Sequence, residues 1–343
     1  MDKNRTTVDI SMMSILRIIG VVVALWFLIL LRDILAILFI VFVIVTAVSP
    51  LIERLMKKGV PRPIAIASIY LTLLGAVILI FSIIIPPIAH QFNQLADLLP
   101  KLLEKITPLY NTLKEGNFIS ASQENLKNLA SQLTQFGTNI FGVTRGLISG
   151  FVAIITIMAL SLYILLEDKK IKDFIKFIVP TPQRAPVIAI LKKIGDKMGG
   201  WLRGQVILMF VVGIIYWLTM IVLGIPFALM LAVIGGLLEI LPTIGPIFIG
   251  ILVAIVAFTV APWKAVAVLV LFFIIQQTEN NFLVPKIMQK TIGVSPVFII
   301  LAILIGAKLL GILGAILAVP AMAGLAVVIE QWHTIFPLQK EVS

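Results

Sequence analysis

The chain is built from long uninterrupted apolar runs, and such runs admit few structures. Ile15 to Leu31, Ile34 to Val48, Ile64 to Ile85, Gly146 to Leu166 and Val206 to Leu223 each carry at most one charged side chain. A helix rises about 1.5 Å per residue and the hydrocarbon core of a bilayer is about 30 Å thick, so roughly 20 apolar residues cross it. Water is excluded as the main solvent. Of 343 residues, 60% are hydrophobic and 13% charged, against about 25% charged in soluble domains. In lipid the backbone must satisfy its own polar groups, which makes each run a helix. The expected fold is therefore an all-α polytopic membrane protein. From Gly224 onward the pattern alters. The runs Phe227–Leu241, Ile247–Val260, Ala265–Ile275, Val297–Ala307 and Leu309–Val328 are shorter and broken by Gly and Pro.

Between the runs the chain divides by composition. Residues 1–14 are polar and two apolar runs follow closely, so a cleavable signal peptide is not expected. Three spans occupy 15–87, the third expected to stop at Pro86-Pro87. Segment 88–145 is polar with helical apolar spacing (Leu95, Leu98, Leu102, Ile106, Leu109, Leu113, then Leu126, Leu129, Leu133, Phe136, Ile140) and reads as amphipathic helices beside the membrane. A fourth span covers 146–166. Segment 167–203 is basic, with stripes Ile171, Phe174, Ile175, Ile178 and Ile190, Leu191, Ile194, Met198, Trp201, the pattern of helices lying on a membrane surface. A core of 204–330 and a tail of 331–343 complete the chain. Lys and Arg crowd the N-terminus and the 49–63, 167–203 and 283–295 segments, while Arg32, Lys264 and Lys308 alone occupy the opposite short loops. Long loops cross regardless of charge, so 88–145 is discounted, and the rest predicts cytoplasmic N- and C-termini.

An internal echo links two parts of the core. At a constant offset of 69 residues, Gly224 falls on Gly293, Glu239 on Lys308 and Gly245 on Gly314. In the topology above one copy begins outside and the other inside. Inverted hairpins over 224–250 and 293–320 are expected, meeting near the midplane where secondary transporters hold their cargo.

Ionisable groups inside apolar runs cost at least ~2.5 kcal/mol on insertion scales, so they face a cavity or a partner. Glu239 stands beside Pro242, Thr243, Gly245 and Pro246. The prolines lack donors and Gly245 tolerates positive φ, so backbone groups are freed next to a carboxylate. Such a site suits a cation, a proton or a polyhydroxylated solute. A carboxylate that merely neutralises a helix break has the same pattern. Gln276, Gln277, Thr278, Glu279, Asn280 and Asn281 wrap a helix end with groups able to replace a solute's hydration shell, or form an ordinary polar terminus. Lys308 is the natural counter-charge to Glu239 unless it snorkels to the surface. Arg203 and Gln205, at the entrance of the fifth run, read as interfacial anchors.

Other chemistry is disfavoured. Cysteine is absent, and His90 and His333 are too far apart in sequence for zinc-type spacing. No phosphate-binding Gly-rich loop, Gly-x-Ser-x-Gly elbow or His-Glu-x-x-His occurs. No enzyme, cofactor or metal site is expected. Nor is nucleic-acid binding, despite the net charge of +11, which belongs to orientation and anionic lipid.

Six stretches in order carry a likeness: Tyr163-Ile-Leu-Leu-Glu167-Asp168-Lys169, Gly204-Gln205, Leu223-Gly-Ile-Pro226, Glu239-Ile-Leu-Pro242-Thr-Ile-Gly245-Pro246, Gln276-Gln277-x-Glu279-x-Asn281-x-x-x-Pro285 and Leu310-Gly311-Ile-Leu-Gly314-Ala-Ile-Leu-Ala-Val-Pro320. Together they resemble the autoinducer-2 exporter family of bacterial membrane proteins, over nearly the whole chain. The resemblance implies an inner-membrane secondary transporter of about eight spans and a homo-oligomer, a pentamer among the candidates. Members are associated with export of the quorum signal autoinducer-2, or with exchange of Na⁺ or Li⁺ for protons. Glu239, Pro242, Gly245, Pro246, Gln277, Glu279, Asn281 and Pro285 stand at family positions, whereas Thr243 replaces a common aromatic. The expected partners are thus a small polar solute, or a monovalent cation and a proton, and the bilayer. A scaffold that transports nothing and binds an envelope partner through 88–145 is the rival of a different class.

Overall fold

The computed structural model describes residues 12–114, 140–242, 244–288 and 295–331. Their regular elements are all helical: α1 (Met12–Leu30), α2 (Arg32–Lys57), α3 (Arg62–Lys114), α4 (Ile140–Leu166), α5 (Asp168–Ile178), α6 (Arg184–Val222), α7 (Ala228–Leu238), α8 (Ile244–Val260), α9 (Pro262–Thr278), α10 (Val284–Met288) and α11 (Pro296–Glu330). A π-helical turn, Glu279–Leu283, joins α9 to α10. By length and composition six segments can cross a membrane: α2, Arg62–Pro87 of α3, Ser149–Leu166 of α4, α6, Pro262–Met288, and Val297–Glu330 of α11. With the shorter apolar helices α1, α7 and α8, they form an all-α polytopic membrane protein.

Two helices run further than the sequence led one to expect. The third span ends at Pro87, but its helix does not end with it: α3 continues to Lys114 over 53 residues, about 80 Å. The prolines remove only the donors that would bond Ser82 and Ile83, and the helical apolar period resumes beyond them. The rest of the 88–145 segment, with Leu126, Leu129, Leu133 and Phe136, falls outside the described residues from 115 to 139. Residues 184–203 are likewise the first half of α6, in one helix with the fifth apolar run. Their apolar stripe faces protein, since Ile190, Met198 and Trp201 are buried.

That half of α6 crosses α2 at Gly195 and Gly199, close to Thr46. Small residues at helical spacing let membrane helices approach this closely. The crossing also repairs a fault in α2. Pro50 has no N–H to bond the Thr46 carbonyl four residues back. The Arg203 guanidinium supplies the donor, with Nη1 at 3.3 Å from the Thr46 oxygen and 2.9 Å from that of Ala47. Tyr70 of α3 similarly donates to Ser161 of α4 at 2.8 Å, a buried polar pair between apolar faces.

The basic turns gather at one end of the helices. There Arg62 Nη2 reaches the Leu165 carbonyl at 3.5 Å, Lys197 pairs with Glu330 at 3.6 Å, and Gly204 lies against Met288. At the other end Lys264 Nζ donates to the Gly224 carbonyl at 3.3 Å. There too the Gln91 side chain of α3 accepts the Met230 N–H at 3.0 Å. This bond caps α7, whose own N-cap, Phe227, supplies no side-chain acceptor.

Two helical hairpins enter from these opposite ends. The first is α7 and α8, whose outer ends meet the Gly224 end and which folds back so that Gly235 lies beside Ile249. The second is α11, which doubles back at Gly311 (φ 64°, ψ −143°), a conformation readily adopted only by glycine. Gly306 and Gly314 then meet backbone to backbone across the bend. The 69-residue echo thus acquires a geometry: Pro242 of the first turn falls on Gly311 of the second. Gly245 falls on Gly314, each packed on the incoming arm's backbone. The arms occupy 228–260 and 296–330, longer than the expected 224–250 and 293–320.

Candidate functional site

Helix α7 ends after 11 residues because Pro242 and the turn before α8 leave no continuing donors. The last carbonyls must find other partners. One does so through Gln205 of α6, whose Nε2 donates to the Glu239 carbonyl at 2.6 Å. Gly245 permits the closure, since any Cβ there would strike the Leu238 carbonyl. The break thus holds Glu239 in the interior, only 1% exposed. Pro242 is half-buried and Gly245 and Pro246 are buried beside it, while Thr243 lies outside the described residues.

Facing Glu239 is Glu279, 4% exposed, at the first position of the π-helical turn. The two carboxyl groups lie close enough to act directly on each other. Like charges buried this close repel, so a proton or a cation between them is favoured. Gln276, three residues earlier, donates Nε2 to Glu279 Oε2 at 3.4 Å. Among the described residues neither acid makes an ion pair with Lys or Arg, and no cluster of three or more metal-ligating side chains occurs.

The expected site residues therefore divide. Glu239, Glu279 and Gln276 come together. Gln277 and Asn281 belong to the same helix end but are exposed, and Asn281 Nδ2 donates to the Gln277 carbonyl at 2.8 Å. Lys308 is exposed on α11 near the Gly311 bend, and the group facing Glu239 is Glu279.

Two members of the site were not expected to belong to it. Gln205, read as an interfacial anchor, is 2% exposed, and Tyr216 is fully buried. Both lie on one stripe of α6: Trp201, Gln205, Leu208, Val212, Tyr216 and Met220, all buried at steps of three or four residues. The available signal was a polar group recurring on one helical face inside an apolar run. Around the pair, five buried polar atoms have no partner among the described residues: Trp201 Nε1, Gln205 Oε1, Tyr216 Oη, Glu239 Oε2 and Gln276 Oε1. Buried polar groups are nearly always satisfied, by water or a ligand where protein does not serve. Two outward-facing apolar grooves, of about 410 Å³ between α3 and α4 and about 260 Å³ between α3, α6 and α7, are lined by neither acid.

Comparison with known proteins gives a consistent answer. Residues 15–334 match the model of a family described as AI-2E family transporter. Candidate transport protein YrrI of Bacillus subtilis is 30% identical over 81% of this chain and 80% of its own length. Candidate transport protein YueF of the same organism is 28% identical over 79% and 77%. Candidate permease PerM of Escherichia coli is 25% identical over 81% and 82%.

Proposed function

The chain belongs to the AI-2E family of transporters, and on that footing we propose that it is a proton-coupled secondary transporter whose Glu239–Glu279 pair alternates between a proton and its cargo. One observation carries the reading: two buried carboxyls facing each other, one at the turn of the first hairpin and one at the π-helical turn, with no basic partner among the described residues. Binding of cargo to the carboxylate form displaces a proton from the pair, and return of a proton releases the cargo. Hairpins rocking about a fixed central site give access to one side at a time. The site offers carboxyl and amide groups and no base, so an anion is disfavoured. A small neutral polyhydroxylated solute fits, and the resemblance to the family points to outward export of autoinducer-2. A second reading, exchange of Na⁺ or Li⁺ for a proton, is favoured by the absence of any Lys or Arg paired with either acid among the described residues.

The crowding of Lys and Arg at one end supports a bacterial inner-membrane location with both termini cytoplasmic. A homo-oligomer, a pentamer among the forms, belongs to the same proposal. The test uses the purified chain in liposomes with an entrapped pH dye. Proton movement on addition of NaCl or LiCl, lost in Glu239→Gln, selects the antiporter. Proton movement driven only by autoinducer-2, and lost in the same variant, selects the exporter. Autoinducer-2 flux unchanged in both Glu239→Gln and Glu279→Gln overturns the coupling role.

A further inference from the structure

The acid pair lies between two apolar packings. Toward the Arg62 end, Trp201, Leu208 and Met288 pack with α11. Toward the Gly224 end, a larger cluster joins α6, α7, α8 and α9, and Tyr216 is its member nearest the acids in character. The Tyr216 ring stacks on Phe272, with centroids 4.4 Å apart and planes 1° apart. Both hairpin arms rest on this stack. A Cβ on Gly235 of α7 would come within 2.8 Å of Tyr216 Cδ2, and one on Gly250 of α8 within 3.4 Å of Phe272 Cδ1. Movement of the first hairpin therefore displaces the rings.

The hydroxyl is the unexplained part. Tyr216 is fully buried and its Oη has no partner among the described residues. A phenylalanine would fill the same space without burying an unsatisfied hydroxyl. The ring packs on Gly235, one turn before Glu239 in α7, and its stacking partner Phe272 lies two turns before Glu279. Helical side chains lean toward their helix N-terminus, which here points the phenol back toward Gln205 and the pair.

We propose that Tyr216 and Phe272 form the lid over the acid pair on the Gly224 side, and that the Tyr216 hydroxyl passes the proton across it. The proposal rests on the reading of the pair as the coupling site. In the step, a water between the pair and Tyr216 takes the carboxyl proton and gives one of its own to Oη, while the Tyr216 O–H proton goes to a second water on the Gly224 side. The phenol stays neutral and the pair loses one proton. The lid opens when the first hairpin withdraws Gly235 and Gly250 from the rings.

The test uses the full chain in liposomes with an entrapped pH dye and whichever of Na⁺ or autoinducer-2 drives wild-type proton movement. Tyr216→Phe keeps the ring and should hold or raise thermal stability, yet slow proton movement roughly 10²- to 10⁴-fold, the range of a positioned proton-transfer group. Tyr216→Ala should let protons leak without cargo. Phe272→Leu tests the lid if Tyr216→Ala does not fold. A wild-type rate in Tyr216→Phe, with Glu239→Gln inactive, overturns the relay. Tight vesicles with both lid variants overturn the lid. Wild-type proton movement in Glu239→Gln overturns the coupling site beneath both.

Discussion

Replacing Gly199 with alanine tests whether the α2–α6 crossing holds the molecule together. A Cβ there would sit 2.5 Å from both the Thr46 carbonyl carbon and oxygen and 2.7 Å from the Ala47 nitrogen. All three are backbone atoms, so no rotamer relieves the overlap. Reaching 3.0 Å, below which real Cβ contacts essentially do not occur, requires α6 to move off α2 by about 0.5 Å. The Arg203 contact to the Thr46 oxygen, already 3.3 Å, is then lost, and that to Ala47 is stretched from 2.9 Å. The Thr46 carbonyl, deprived of its helical donor by Pro50, becomes a buried orphan at about 1–3 kcal/mol. Overpacking adds about 1–3 kcal/mol, and the gain in helix propensity from Gly to Ala returns about 1 kcal/mol. The net loss is about 1–5 kcal/mol, or roughly 1–7 °C in thermal midpoint for a chain of this length. Gly20→Ala in α1 is the control, because nothing lies within 4 Å of it. Its midpoint should stay or rise in the same detergent-solubilised melt. A Gly199→Ala midpoint within a degree of wild type would refute the reasoning.

Three further outcomes follow from the packing. Arg203→Ala should cost about 1–3 kcal/mol, and less in a Pro50→Ala background where the Thr46 carbonyl regains its own donor; additive melts would show that the two features are unrelated. Gly311→Ala meets no neighbour but demands φ 64°, so it should cost about 1–3 kcal/mol from backbone strain alone, read by the same melt. Because the chain has no cysteine, single cysteines at 229 and 259 should both react with an impermeant thiol reagent from one face, and at 297 and 329 from the other; opposite faces for either pair would defeat the hairpin description.

The spans were legible because lipid leaves a long apolar run no alternative to helix. The breaks were legible as well, since Pro242 and Gly311 act locally. What escaped depends on facing. Whether Gln205 anchors at an interface or bonds a carbonyl of α7 is settled by the neighbour of α6, which no local pattern names. Gln276 and Glu279, three residues apart, turn inward while Gln277 and Asn281, four apart, turn outward, and which of the two faces meets α7 is not written in the local pattern. Lys308 illustrates the limit of charge arithmetic: opposite signs at echoed positions suggested a pair, yet the geometry sets acid against acid. Pro86-Pro87 shows that a local stop signal yields where the helical period resumes beyond it.

A hairpin with both feet on the same side carries no net passage through the membrane. Inserting 228–260 or 296–330 therefore leaves the sidedness of every flanking helix as it was. During synthesis the long helices can be oriented first, and each hairpin can settle afterwards into a wall already standing. Its polar turn need never be threaded through bare hydrocarbon.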